Sequence, residues 1–529
     1  MAKTTEYPVE ILDTTLRDGS QTEGVSFSLE DKLRIAARLD EFGIHFIEGG
    51  FPKSNPKDRE FFKKVRELGL KNSKICSFGS TRRKGYSCSK DDGIQCLIKA
   101  EPDAITIVGK SWDLHAEHVL KVSKEMNVAM IADTIGYLKK KGIFVIFDAE
   151  HFFDGYLENK KYAMETIIAA SEQGADRIVL CDTNGGSLTD LVHDVTAEVV
   201  SIIGGGVGIH AHNDSELAVA NTLAAVSAGA THVQGTINGL GERCGNSNLC
   251  SVIPNLMLKM KNPPFPDDNL AGLTDLANFI SELANQPLNS RLPYVGKSAF
   301  THKAGLHIDG VRKVRRANEH IIPEKVGNHT RTLISEVAGR ANVLHLTARM
   351  GIDLSKKPGI VSEILEELKV LEYSGHQFEA AEGSFEILVR KKLGEYKSHF
   401  ELGGFKVTVD KRRKGEMFSE ATIKVKVGGQ WEFTVGEGDG PVNALDNALR
   451  KALISFYPSL KEMRLTDYKV RVLDERDGTA AAVRVLIASK DNTSVWGTVG
   501  VSENVIQASW KALVESIEFK LMKDGTQPG

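Results

Sequence analysis

Two histidines two positions apart, in His210-Ala-His212-Asn-Asp214, and an adjacent Arg17-Asp18 pair near the start of the chain are the residues best equipped for chemistry. Side chains on a β-strand alternate between faces, so imidazoles at i and i+2 point to the same side. Two such rings together with the Asp18 carboxylate offer a donor set suited to a divalent metal. No cysteine is well placed to ligate beside them. Mg²⁺, Mn²⁺ or a catalytic Zn²⁺ with open positions therefore fits better than a closed structural zinc. Asn246, in Gly241-Glu-Arg-Cys-Gly-Asn246, could add a neutral oxygen. A metal with open positions suits a substrate that chelates through two oxygens, such as a 2-oxo acid. Arg17 would then help polarise the keto oxygen and hold the charge that develops on it.

These residues are far apart in the chain, so the fold must gather them. Val9-Glu-Ile-Leu12 predicts a buried strand, followed by a polar turn with Asp13, Arg17, Asp18 and Gln21. Ser28-Leu-Glu-Asp31 is a capping box that opens a helix to about Phe42. The same strand-then-helix pattern recurs from His45, Lys74, Ala104, Ile143, Arg177, Gly208 and His232. Helices are expected after each, among them Glu117–Met126 and Lys161–Gln173. Eight βα units by about residue 260 match the count and length of a (β/α)8 TIM barrel. In that architecture the C-terminal ends of the strands face one another and carry the ligand site. Arg17 and Asp18 follow strand one, Glu150 ends strand five, Thr183 ends strand six, and His210 and His212 lie on strand seven. Glu150 could take part in proton transfer. Thr183 could anchor a substrate carboxylate or serve only the turn, and Asp148 shares the Glu150 face and could border the pocket.

At 529 residues the chain is too long for one core. A net charge of −3 gives no reason to expect nucleic acid or a membrane surface as partner. No apolar run reaches membrane-spanning length, and the six scattered cysteines (Cys76, Cys88, Cys96, Cys181, Cys244, Cys250) form no C-x-x-C pair. Reduced thiols in a cytoplasmic enzyme are expected.

The last part of the chain repeats itself. Phe405-Lys-Val-Thr-Val409 echoes Tyr468-Lys-Val-Arg-Val472, and Gly436, Ala444, Ala448 and Leu449 recur in the same spacing as Gly500, Ala508, Ala512 and Leu513. Each half predicts three strands and a helix, hence a pseudo-symmetric α+β domain. Gly436-x-Gly438-x-Gly440 lacks a P-loop lysine, which argues against nucleotide binding. With Asn262-Pro-Pro-Phe-Pro266 as a break, the expected domains are a barrel at 1–265, helical linker subdomains at 266–395 and a C-terminal domain at 396–529.

Asp13-Thr-Thr-Leu-Arg-Asp-Gly-Ser-Gln21, Ile47-Glu-Gly-Gly-Phe-Pro52, His210-Ala-His-Asn-Asp-Ser-Glu216 and Gly239-Leu-Gly-Glu-Arg-Cys-Gly-Asn246 resemble motifs of the metal-dependent Claisen-condensing synthases. That family comprises the 2-isopropylmalate, homocitrate and citramalate synthases. Glu48-Gly-Gly, Ser77-Phe-Gly-Ser-Thr-Arg82 and Phe147-Asp-Ala-Glu-His-Phe152 most resemble its citramalate branch. The resemblance implies condensation of acetyl-CoA with pyruvate in isoleucine biosynthesis. It leaves open 2-oxoisovalerate or 2-oxoglutarate as the oxo acid, and a retro-aldol lyase on the same barrel. It implies Asp18, His210 and His212 as metal ligands, with Asn246 in or near the shell. Arg17, Gln21 and Thr183 would bind substrate, Arg17 also stabilising the oxyanion, and Glu150 would be an acid–base group. A segment matching Thr301–Gly310 lends a catalytic histidine in the family, here His307 with Asp309, so either His307 or Glu150 would handle the methyl proton of acetyl-CoA. Asn318 stands where relatives often carry Tyr. The repeat domain would be an allosteric one, forming a homodimer and sensing an end-product amino acid, isoleucine in the citramalate route.

Overall fold

A computed structural model describes residues 9–333, 340–411, 417–473 and 481–526. Eight parallel strands close into a barrel in chain order: β1 (Glu10–Asp13), β2 (Phe46–Gly50), β3 (Lys74–Ser80), β4 (Ala104–Lys110), β5 (Phe144–Glu150), β6 (Arg177–Asp182), β7 (Val207–Ala211) and β8 (His232–Gly235), with β8 pairing back onto β1. The expected (β/α)8 barrel is therefore present. Its helices are α1 (Leu29–Phe42), α2 (Pro56–Lys64), α3 (Asp92–Lys99), α4 (Lys124–Lys139), α5 (Phe152–Glu172), α6 (Thr189–Ile203), α7 (Ala218–Ser227) and α8 (Leu249–Pro254), and α9 (Leu273–Leu283) follows them. Ser28 and Asp31 form the capping box of α1, and Gly43 ends that helix at a φ of 97°.

Two helices differ from expectation. In place of Glu117–Met126 there is a π turn at His115–Val119, and α4 starts only at Lys124. Ser123 sets that start, its Oγ accepting from Met126 N at 3.2 Å, a cap that outweighs the apolar spacing upstream. α5 begins at Phe152, well before Lys161, and its backbone leaves helical geometry at Asn159. The two halves of α5 look like separate segments in sequence because of that kink.

Inside the barrel, Leu12, Phe46, Cys76, Ala104, Ile146 and Val179 form an apolar plug. Two residues beyond Phe46 and Ile146, Glu48 and Asp148 are also buried, as are His210 on β7 and Gln234 on β8. The lumen thus changes from apolar to polar toward the C-terminal mouth. At the opposite end the Arg177 fork grips Glu10, Nε to Oε2 at 2.7 Å and Nη2 to Oε1 at 2.9 Å, with His232 Nδ1 3.6 Å away. That bidentate pair ties β6 to β1 across the barrel floor.

The chain divides into two compact units, Met1–Phe300 with Ile321–His329, and Thr301–His320 with Thr330–Gly529. In the second, β9 (Thr301–His302) and β10 (Arg331–Thr332) pair in parallel around α10 (Gly305–Lys313). α11 (Arg340–Arg349), α12 (Pro358–Tyr373) and α13 (Glu382–Leu393) precede the repeats. The first repeat is the antiparallel sheet β11 (Glu401–Lys411), β12 (Met417–Val427) and β13 (Gln430–Gly438) followed by α14 (Pro441–Leu453). The second is β14 (Arg464–Val472), β15 (Val483–Lys490) and β16 (Val495–Ser502) followed by α15 (Val505–Lys523). The three-strands-and-helix expectation holds in both, and even the irregularity recurs, between Leu402 and Gly404 and between Leu465 and Asp467. The repeated glycines have a packing cause. A Cβ on Gly436 would lie 2.4 Å from Ala448 N, and one on Gly500 would lie 2.1 Å from Ala508 O. Each helix therefore lies so close to its sheet that the glycine and the facing alanines are required together.

Among the described residues no helix is long and apolar enough to cross a membrane. All six cysteines are free.

Candidate active site

The loop after β1 is wound by its own side chains. The Asp13 carboxylate accepts from Thr15 N and Thr15 Oγ1, both at 2.9 Å, and Thr14 N donates to Gly235 O at 2.8 Å. Burial pushes Asp13 up to about 7 against those donated bonds, with the Glu48 charge adding to the rise. The turn delivers Arg17 and Asp18 to the barrel mouth.

Arg17 is held on three sides. Its Nε donates to Glu48 Oε2 at 2.6 Å, its guanidinium lies 3.9 Å from the Phe78 ring centroid, and Nη1 is 3.5 Å from Asp18 Oδ2. Burial opposes ionisation of Asp18, but the Arg17 charge and the His210 hydrogen bond hold its carboxyl well below the usual range. Asp18 Oδ2 is 3.4 Å from His210 Nε2, which is 3.4 Å from His212 Nε2. The ligand atoms of these three buried residues all lie within 4.8 Å of one another. Burial and the neighbouring His210 push His212 down to about 3, leaving it a neutral donor. Burial lowers His210 too, but its bond to Asp18 prevails and raises it.

Asn246 joins this cluster through a bridge to His212, made where the chain passes β8. Its Nδ2 donates to Leu240 O at 3.2 Å, while its buried Oδ1 has no protein partner. An orphaned amide oxygen on a residue bridged by its backbone to His212 is chemistry a hard divalent cation satisfies. The residues present fit such a metal.

A cavity of about 320 Å³ opens above the cluster. It is lined by Arg17, Asp18, Gln21, Glu150, Thr183, His210 and His212, so residues named from four separate stretches of sequence meet in one place. Glu150 forms an ion pair with Lys110 at the end of β4. Thr183 Oγ1 accepts from His151 N at 2.9 Å, which leaves its own proton to donate. Arg243 braces the same rim, donating to Thr183 O at 2.7 Å and pairing with Asp214 at 2.8 Å. His307 and Asp309 belong to the second unit, on α10. His307 is exposed, Asp309 pairs with Lys313 at 2.6 Å, and Asn318 Nδ2 donates to His307 O at 3.2 Å.

Four residues of the site had no role assigned from sequence: Glu48, Phe78, Lys110 and Gln234. Strand parity was the available signal, since each lies two or four positions beyond an inward-facing residue: Phe46, Cys76, Thr106 and His232.

Residues 8–280 match the HMGL-like family, 294–375 the homocitrate synthase post-HMGL domain-like family, and 379–521 the LeuA allosteric (dimerisation) domain. A curated (R)-citramalate synthase of Aquifex aeolicus is 54% identical over 98% of this chain and 98% of its own. The chain belongs to the HMGL-like family, among the (R)-citramalate synthases. (R)-citramalate synthases of Geobacter sulfurreducens and a Synechocystis strain are 53% and 49% identical, each over 97% of this chain and over 98% and 96% of their own. Relatives of this family thus align with both units, including the segment that carries His307.

Proposed function

We propose that the chain condenses acetyl-CoA with pyruvate and water to give (R)-citramalate and CoA. The observation that carries this reading is the convergence of Arg17 with Asp18, His210 and His212 in one buried, substrate-sized cavity. A divalent ion held by Asp18, His210, His212 and Asn246 supplies Lewis acidity toward a bound 2-oxo acid. Mg²⁺, Mn²⁺ and Zn²⁺ all suit that donor set.

The remaining work falls to the protein's own groups. The Thr183 hydroxyl donates to the pyruvate carboxylate, and Gln21 contributes an amide at the rim. A base removes a methyl proton from acetyl-CoA; Glu150, lining the cavity, and His307 are the two candidates. The resulting carbanion attacks the keto carbon, forming the C–C bond as the keto oxygen takes the electron pair. Arg17 donates to that oxygen, and its orientation is preset by Glu48 and Phe78, so little reorganisation is needed as charge develops. The alkoxide takes up a proton, water then cleaves the thioester, and CoA leaves as the thiol.

Asp148 lines the cavity, and burial with the neighbouring Glu48 charge pushes its carboxyl up to about 7; the charge it carries above that pH disfavours a second substrate carboxylate, which selects pyruvate over 2-oxoglutarate. The C-terminal repeats fit a sensing and dimerising role. Trp431 and Phe433, on the face of β13 turned from α14, are 53% and 69% exposed, an apolar surface suited to a second copy of the chain. Isoleucine is the proposed effector, as end product of a citramalate route. Thiol release from acetyl-CoA with each 2-oxo acid in turn tests the assignment. Pyruvate should turn over fastest, and faster release with 2-oxoglutarate or 2-oxoisovalerate would refute it. Because a missing methylene is worth only about 1–3 kcal/mol, slow leakage to neighbouring oxo acids is expected.

A further inference from the structure

Gln234 lies on β8 with its side chain in the barrel lumen, wholly buried, and makes two hydrogen bonds. Its Oε1 is 2.9 Å from His210 Nδ1, and its Nε2 donates to Asp148 Oδ1 at 2.8 Å. The second contact decides what the first can be. With the amide NH₂ turned to a carboxylate oxygen, Oε1 must face His210, and an amide oxygen only accepts. His210 Nδ1 therefore carries a hydrogen, and in the neutral ring Nε2 then holds the lone pair. Nε2 is the nitrogen that faces Asp18 and His212.

His212 has no such support. Its Nδ1 is buried without a protein partner, and its ring packs 5.2 Å from that of His210 at an angle of 57°. One imidazole of the pair is thus locked in rotation and tautomer by strands β5 and β8, while the other is free to adjust. We infer that Gln234, oriented by Asp148, is a positioning residue that presets His210 as the anchoring metal ligand. The inference rests on the metal reading of Asp18, His210 and His212. Gln234 does not itself line the cavity; it touches His210 and Asp148, which do, and acts on the metal ligand only through His210.

The geometry also explains why a glutamine serves here. An aliphatic side chain would leave a buried ring N–H unpaired, with a desolvation cost and a ring free to rotate. An outer partner of a metal-bound histidine typically contributes about 10–100-fold in metal affinity.

The test is a titration of metal-depleted, full-length protein with Mn²⁺, following binding by calorimetry and by the loss of the free-ion spin-resonance signal. Gln234→Leu removes the acceptor at nearly constant volume and should weaken Mn²⁺ binding about 10–100-fold. Gln234→Glu restores an acceptor oxygen against His210 and should bring affinity back to within about threefold of the parent, a rescue that a mere packing role would not produce. Circular dichroism and melting of each variant check that the barrel is intact. If the parent binds no Mn²⁺, the metal reading itself fails. If the parent binds and folded Gln234→Leu binds equally well, the metal reading stands and the role of Gln234 is refuted. Equal loss in Gln234→Leu and Gln234→Glu also overturns it, because space rather than the acceptor would then be what matters.

Discussion

Replacing Arg17 by Lys probes the reasoning about the site most directly, because charge is retained and geometry is lost. The guanidinium makes three contacts at once: Nε to Glu48 Oε2 at 2.6 Å, the Phe78 face at 3.9 Å and Nη1 near Asp18 at 3.5 Å. A lysine ammonium is a point charge on a flexible stem and cannot hold Glu48 while presenting a second planar donor to the cavity. Losing one preorganised oxyanion donor costs about 2.7–4 kcal/mol of barrier, which is about 10²–10³ in kcat. Stacking on Phe78 contributes less, about 0.5–2 kcal/mol, so Phe78→Leu should lower kcat only about 2- to 30-fold. Thiol release at saturating acetyl-CoA, with pyruvate varied, separates the terms. Arg17→Lys should lower kcat and kcat/KM together, as expected for a contact made in the transition state. A raised KM with unchanged kcat would refute the oxyanion role and make Arg17 a binding residue.

Three further outcomes are expected. His210→Ala and Asp18→Ala should lose metal binding and activity together while keeping the fold; turnover by chelated, metal-depleted His210→Ala would dismiss the metal site. Glu10 has its pKa lowered from 4.5 to about 2: burial works the other way, but the bonds from His232 and Arg177 prevail. Burial also lowers His232, so Arg177 carries the pairing at neutral pH. A group with a depressed folded-state pKa stabilises above its unfolded value, and that contribution is lost as pH falls from 4.5 toward 2. The contribution is about 3 kcal/mol as an upper bound, so Glu10→Gln should be less stable than the parent at pH 7 and converge with it near pH 2 in denaturant unfolding. An unchanged difference across that window would show that the floor pair does not act through charge. Deleting the repeats from about residue 400 should abolish inhibition by isoleucine, whose coupling to substrate binding is expected to be reciprocal and about 5- to 150-fold. Equally tight isoleucine binding by the truncated chain in calorimetry would place the sensor elsewhere.

Local chemistry made much of this protein legible without coordinates. The alternation of β-branched runs and capped helices announced eight βα units, because strand and helix periods leave their mark within a few residues. The i and i+2 spacing of His210 and His212 determined that the two rings share a side, and the repeat of Gly436 and Ala448 as Gly500 and Ala512 determined a second copy of one motif. What sequence left open were matters settled between strands. Glu48, Lys110 and Gln234 gain their meaning from partners carried by the loop after β1 or by other strands, Arg17, Glu150 and His210. No periodicity encodes which lumen residues stand at the same height, since that depends on the stagger with which eight strands close. The kink at Asn159 and the late start of α4 after Ser123 were hidden for a related reason, as a local capping bond at each, from Tyr162 N to Asn159 Oδ1 and from Met126 N to Ser123 Oγ, outweighed a longer apolar pattern. Sequence determined which groups are available and which way each faces along its own strand. Closure of the barrel decided which of them touch, and so turned an arginine, a carboxylate, two imidazoles and an amide into one site.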